Sequence, residues 1–165
     1  THNVETIIDI AARLQNELEI HFMIIGNGGK KADLIKSVET RGLTNCTFLD
    51  WLPADKIVYS LSAANLSVVT LTDDTAFVSV PSKTYNILSV GSPILCVAPE
   101  KSEVGQLVKK EQCGKCYDKS HIKEMVNFIL QLKSDKEYYA EMVQNSLNAS
   151  MHYTFANASE YVCYK

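Results

Sequence analysis

Apolar positions recur along this chain with two periods, and the two periods alternate. Val4, Ile7, Ile8, Ala11, Ala12 and Leu14 return at helical spacing and predict an amphipathic helix over 3–17, capped by Asn3. The continuous apolar run at 20–25 predicts a strand covered on both faces, with His21 at the edge of the core. A helix over 31–41 with Ala32, Leu34, Ile35 and Val38 inward follows, then a strand at 46–49. The next helix spans 55–64 with Ile57, Val58, Leu61 and Ala64 on one face, and a strand lies at 66–71. Then come a helix over 82–90, a buried strand at 94–97, a helix from Ser102 to Lys110 and a short strand at 112–117. Helices over about 120–132 and 135–150 follow, and 151–165 begins irregularly before a short terminal helix.

Regular alternation with short connections means an α/β fold, a Rossmann-like parallel sheet with helices on both faces. No internal repeat interrupts it, and one domain over 1–165 fits the length. In such a fold a helix at 3–17 follows a strand, so the first strand of the sheet is missing from the chain.

The stretch at 79–96 orders the rest. Pro81 pushes Val80 into an extended conformation, Ser82 is the expected N-cap, Gly91 stops the helix and Pro93 prevents its resumption. Lys83 is the odd residue, because the first turn of a helix favours acidic side chains and a cation there costs about 0.3–1 kcal/mol. Free amides, hydroxyls at Ser82 and Thr84 and an ammonium group suit a phosphate; the alternative is a solvated surface lysine. The loops after residues 25, 49 and 71 lie at strand carboxyl ends, where open α/β sheets bind ligands. The first is Gly26-Asn27-Gly28-Gly29, a turn that lets backbone approach a ligand but lacks the spacing of a dinucleotide fingerprint or P-loop. Lys30 and Lys31 add positive charge beside it. The second loop carries Trp51, the single tryptophan, which either packs the loop down or meets a ligand. The third carries Asp73 and Asp74, which suit turn chemistry, a metal or a sugar hydroxyl.

Composition narrows the partners. The net charge is −3 and the arginines are Arg13 and Arg41 alone, which argues against a nucleic-acid surface and leaves an anion site to lysines and amides. No apolar run approaches the ~20 residues of a spanning helix, and no signal peptide opens the chain. Five cysteines at scattered spacing read as reduced residues of a cytoplasmic protein. Cys113-Gly-Lys-Cys116 has C-x-x-C spacing, but no second pair or histidine cluster completes a zinc site.

The run VPSKTYNIL at 80–88 with GSPIL at 91–95 resembles the motif block of family 4 (group 1) glycosyltransferases of GT-B fold, nearest the bacterial branch that acts in capsule and O-antigen synthesis. IIGNG at 24–28, TFLDWLP at 47–53 and SAANLSV at 62–68 match further blocks in order. The resemblance implies the C-terminal, donor-binding half of a two-domain enzyme, without its acceptor-binding N-terminal half. It implies a nucleotide-diphosphate sugar as donor substrate, no further cofactor and no metal, since no D-x-D motif is present. Ser82, Lys83, Thr84, Gly26, Asn27 and Gly28 are then expected at the donor diphosphate, with Lys83 stabilising the leaving group. Trp51, Leu52 and Asn86 are expected at the nucleobase and ribose. The family often carries two glutamates with seven residues between them, and here Val78 and Asn86 stand in their places. The acceptor would be a polysaccharide, lipid-linked or other glycan. The location would be cytoplasmic, with peripheral contact to the inner face of the membrane through the missing half. The fragment alone should not turn over. Two other readings stay open: a flavodoxin-like or receiver-like binding module, and half of a sugar-nucleotide epimerase.

Overall fold

The structure is a computed structural model that describes residues 4–72, 74–78 and 80–153. Its elements are α1 (Glu5–Arg13), β1 (Phe22–Ile25), α2 (Lys31–Thr40), β2 (Cys46–Leu49), α3 (Ala54–Ser62), β3 (Ser67–Thr70), α4 (Ser82–Ser89), β4 (Ile94–Val97), α5 (Glu103–Glu111), β5 (Gly114–Tyr117), α6 (Ile122–Ser134) and α7 (Lys136–His152). All strand pairs are parallel, as alternation requires. The strands form two ladders, β1-β2 and β3-β4-β5, with no ladder between β1 and β3.

The centre is β4, whose four residues are all buried. Ile94 and Cys96 face a layer built from α4, α5 and Ala149 of α7, with Val104, Leu107, Val108, Ile87 and Leu88 against them. Leu95 and Val97 face the opposite layer, where Ile10 and Leu14 near α1 meet Met125, Phe128, Ile129 and Leu132 of α6. A third cluster joins Ile8 and Ala11 to Leu34 and Val38 of α2 and to Phe22, Ile24 and Phe48. So α1, α2 and α6 lie on one side of the sheets and α4 and α5 on the other, while α7 reaches both, with Met142 in the α6 cluster and Ala149 in the α4–α5 cluster.

The helix ends follow local chemistry in two places. Ser102 caps α5 by accepting from the Gly105 amide at 3.1 Å. Gly91 adopts φ +71° just past α4, the left-handed conformation that ends a helix. Beside it, the buried hydroxyls of Ser67 and Ser92 lie 2.9 Å apart, and the Ser146 hydroxyl donates to the Ser92 carbonyl at 3.1 Å. These bonds tie the start of β3 and the turn before β4 to α7.

Four expectations need correction. Pro81, at φ −59° and ψ 136°, is the N-cap of α4, so Ser82 is its first helical residue and makes no capping bond. The proline's fixed φ holds the chain extended until that point. The first strand is half covered: Met23 is 43% exposed, because the α4–α5 layer does not reach over β1 and β2. His21 is exposed, with its Nε2 2.8 Å from the Thr47 hydroxyl, so it is not a core-edge residue. Ala32 and Val58 are exposed, and α3 buries no residue fully, so its apolar side lies loosely on the molecule. The expected Asn3 cap and the terminal helix after 153 fall outside the described residues.

Gly91→Ala should lower stability by about 1–3 kcal/mol, since a side chain is strained at φ +71° and its Cβ would stand 3.1 Å from Leu147 Cγ. Urea unfolding of the two chains measures it, and a loss well below that range would show that the α4–α7 contact yields freely.

Candidate anion and ligand site at the strand ends

Two groups of residues lie at the strand carboxyl ends. The first forms around the turn after β1. Gly26 takes φ +135°, which side-chain-bearing residues rarely adopt, and its amide donates to the Leu49 carbonyl at 3.1 Å. A Cβ on Gly26 would meet Trp51 Cε3 at 3.8 Å, so the indole edge lies against the turn. Trp51 is otherwise 73% exposed, and Leu52 is half-buried. Asn27, Gly28 and Gly29 are exposed, with open space where a Cβ on either glycine would stand.

Lys31 holds this group together. Its Nζ donates to Asn27 Oδ1 at 3.0 Å, to the Leu49 carbonyl at 3.1 Å and to Asp50 Oδ1 at 2.7 Å. One ammonium thus joins the glycine turn to the end of β2. Lys30 pairs with Glu5 at 2.6 Å, and that bond draws the Glu5 carboxyl below its ordinary value. Both lysines beside the turn are therefore neutralised by carboxylates, which the sequence reading missed. The turn offers a ligand backbone and open space more than charge.

The second group is the first two turns of α4. Ser82, Lys83, Asn86 and Ser89 are exposed, while Thr84, Ile87 and Leu88 are buried. The helix therefore shows a polar stripe at i, i+3, i+4 spacing with its open amides at one end. Lys83 makes no ion pair or hydrogen bond among the described residues. The protein around its stem lowers its pKa from the ordinary 10.5, although the side chain reaches solvent. An ammonium without a partner among the described residues, beside a helix N-terminus, makes this a positive point.

Thr84 does not share that exposure. Its amide donates to the Pro81 carbonyl at 2.9 Å, and its hydroxyl is buried without a hydrogen-bond partner. No hydrogen bond or ion pair links the α4 group to the Gly26–Trp51 group among the described residues. Both lie at strand carboxyl ends, the first group after β1 and β2 and the second after β3.

The third loop is closed by threonines. Thr75 Oγ1 accepts from the Thr72 amide at 3.2 Å and lies 3.1 Å from Thr72 Oγ1. Asp74 is exposed, and Asp73 lies outside the described residues. No group of three metal-ligating side chains forms among the described residues. Cys96 and Cys116 are register partners on β4 and β5, and burial pushes the Cys113 thiol up to about 12, so Cys96 and Cys113 sit as core side chains. A shallow concavity between α1 and α2 is bridged by Lys30–Glu5 and Arg41–Asp9.

Residues 1–149 match the family described as Glycosyl transferases group 1. The chain is 36% identical over 104 residues to the putative colanic acid biosynthesis glycosyl transferase WcaI of Escherichia coli (strain K12), which covers 63% of this chain and 25% of that protein. Among solved structures it resembles HepE of Anabaena in complex with UDP and glucose, at a TM-score of 0.78 and 18% identity, over 96% of this chain and 43% of that one. It also resembles a mutant of S. aureus TarM in complex with fondaparinux, α-GlcNAc-glycerol and UDP, at a TM-score of 0.77 and 16% identity, over 97% of this chain and 32% of that one. These likenesses establish the Rossmann-like half of the GT-B fold. The chain spans about a quarter of the length of the curated relatives it matches.

Thr84→Val should raise stability by about 1 kcal/mol, because it removes a buried hydroxyl without a partner at almost unchanged volume. A thermal melt checks this; a clear loss of stability would mean that the hydroxyl is bonded in solution.

Proposed function

This chain belongs to the group 1 glycosyl transferases, and from that premise we propose that it binds the nucleoside-diphosphate sugar donor for transfer of the sugar to a glycan or lipid-linked acceptor. The observation that carries the reading is Lys83: an accessible cation without a carboxylate partner among the described residues, in the first turn of a helix whose leading amides are open. A pyrophosphate supplies the charge that this position lacks. Ser82 and Lys83 would hold the diphosphate, and Asn86, one turn on along the same exposed stripe, would reach a ribose hydroxyl. An asparagine can donate and accept there, without the strength of a charged partner. The Gly26–Gly28 turn would lie against the sugar or phosphate through its backbone. The bare face of Trp51, beside Leu52, would meet the base. Thr84 lies on the buried side of α4 and is assigned to the packing of that helix.

Transfer breaks the bond between the anomeric carbon and the diphosphate oxygen while an acceptor oxygen bonds that carbon. Positive charge develops on the sugar, and negative charge on the departing phosphate. Lys83 and the α4 amides are preorganised to stabilise that negative charge. The acceptor and the group that takes its proton would belong to a second domain, so this chain alone would bind without turning over. The UDP in the HepE and TarM complexes supports a diphosphate ligand for this fold, and the WcaI likeness supports a polysaccharide product. No helix among the described residues is long and apolar enough to cross a membrane. The receiver-like and epimerase readings lose ground to a family match that runs from residue 1 to 149.

Calorimetric titration with UDP, GDP and ADP tests the reading. Lys83→Ala should weaken the preferred diphosphate by about 10–100-fold, the ~1.5–3 kcal/mol of a hydrogen bond to a charged group, and leave the free nucleoside within about twofold. Equal weakening of nucleoside and diphosphate would overturn the assignment. The pH dependence has a definite sign: Lys83 must be protonated to attract the ligand, and its pKa lies below the ordinary 10.5. Diphosphate affinity should therefore fall with rising pH, beginning at lower pH than an unperturbed lysine would give. Retention of activity in the whole enzyme on chelation would match a leaving group stabilised by α4 and Lys83; loss of activity would place a metal in that role.

A further inference from the structure

Two cysteines from neighbouring strands meet on one face of the sheet. Cys96 of β4 and Cys116 of β5 are register partners in a parallel ladder, so their side chains leave the sheet on the same side. Both belong to the apolar layer formed with α4 and α5, and both are free thiols. Partners in such a ladder sit about 4.8 Å apart, inside the range of roughly 4.4–6.8 Å between the Cα atoms of a disulfide. Cys113 is not so placed. Its carbonyl accepts from the Ile94 amide at 3.0 Å, which continues the ladder, and the extended chain from there to Cys116 spans about 10 Å, beyond a disulfide's reach. The C-x-x-C spacing is therefore not the pair; strand register makes the pair.

The two thiols differ in their surroundings. Cys96 is fully buried and Cys116 is half-buried. The Cys116 sulfur lies against the first turn of α5, where a Cβ on Gly105 would stand 3.0 Å from it and 3.0 Å from Ser102 Oγ, so the bare glycine admits the sulfur. The Cys116 thiol donates to the Ala98 carbonyl at 3.5 Å, with the Pro99 carbonyl at 4.0 Å. A helix start favours a thiolate. Hydrogen bonding from the Cys96 thiol draws Cys116 below its ordinary 9.0, against burial and the Glu100 carboxylate. The same bond, together with burial, pushes Cys96 up.

We propose that Cys96 and Cys116 form a reversible oxidation site, in which Cys116 meets a hydroperoxide and Cys96 resolves the product to a disulfide. Burial sets that order, since the oxidant reaches the half-buried thiol and not the one beneath it. The Cys116 thiolate attacks the terminal peroxide oxygen and the O–O bond breaks. The sulfur gives up two electrons and becomes a sulfenic acid. The other oxygen takes a proton and leaves as an alcohol or, from hydrogen peroxide, as water. The Cys96 sulfur then bonds the Cys116 sulfur, the S–O bond breaks, and the departing hydroxide carries off the Cys96 proton as water. Closure takes the Cys116 sulfur off the Ala98 and Pro99 carbonyls, so the loop between β4 and α5 loses a contact on oxidation. A thiol reductant restores it by exchange. This inference stands apart from the donor-site reading and uses none of its residues.

Peptide mapping tests it on the folded, unaltered chain, treated with hydrogen peroxide, alkylated without reduction and digested with trypsin. Cleavage after Lys115 separates Cys113 from Cys116. The expected product is peptide 84–101, which carries Cys96, linked to peptide 116–119, which carries Cys116. Dithiothreitol should release the two. Before oxidation, Cys116 should take up iodoacetamide at least about tenfold faster than Cys113, the contrast between a thiol at a helix start and one buried in apolar surroundings. In Cys96→Ser the sulfenic acid on Cys116 should persist and react with dimedone; the mapping on the unaltered chain decides the matter should that variant fail to fold. Equal alkylation of Cys116 and Cys113 overturns the proposal, as does a Cys116 that peroxide leaves unmodified or oxidises without a link to Cys96. So does a link from Cys116 to Cys46, Cys113, Cys163 or a second copy of the chain, or a Cys96–Cys116 link that forms only in urea, where the strand register is lost.

Discussion

Burial of β4 between two helix layers is the constraint on which the rest of this structure depends. Its peptide groups are paired on both edges, by β3 and by β5, and its side chains are covered on both faces. A strand in that position cannot shift register without exposing one whole apolar face. The helix before it is fixed by consequence. Gly91 turns the chain, Ser92 is bonded to Ser67 and Ser146, and α4 lies against α7 with Ile87 and Leu88 buried. The open end of α4 is therefore held at the carboxyl edge of the sheet by packing beneath it, and its exposed stripe is free for chemistry.

Electrostatics then separates the cations near that edge. Lys30 and Lys31 have carboxylate partners, and Lys31 also bonds a backbone carbonyl, so their charge serves local structure. Lys83 has no such partner among the described residues, and the surrounding protein disfavours its charge. The same contrast applies to aromatic and apolar groups. Trp51 touches the glycine turn with one edge and leaves most of its surface bare. Paired groups hold the local structure together, and Lys83 and most of Trp51 take no part in that pairing among the described residues.

The two parts of the sheet are not equally finished. Around β4 both faces are closed. Around β1 and β2 only the α1–α2 side is closed, and Met23 and Leu49 remain partly exposed on the other. Loose burial of α3 belongs to the same unevenness. The half with the complete core carries the cationic helix, and the half with the open face carries the glycine turn and the tryptophan.

The sequence by itself determined the order of elements, the parallel sense of the strands and the family. Those depend on hydrophobic period, on turn residues such as Gly91 and Pro93 and on short motifs, all of which are local. It also marked Lys83 as misplaced for a helix start, because the dipole argument needs only neighbouring residues. Tertiary structure alone decided which lysines were neutralised, since Asp50 and Glu5 lie 19 and 25 residues away from their partners. It decided that Thr84 is buried while Ser82 and Asn86 are not, because the direction of a helix face is set by what packs against it. It decided, too, that Met23 is half bare and that β1 and β3 share no ladder. Strand coverage and edge pairing are properties of neighbours in space, and no period along the chain records them.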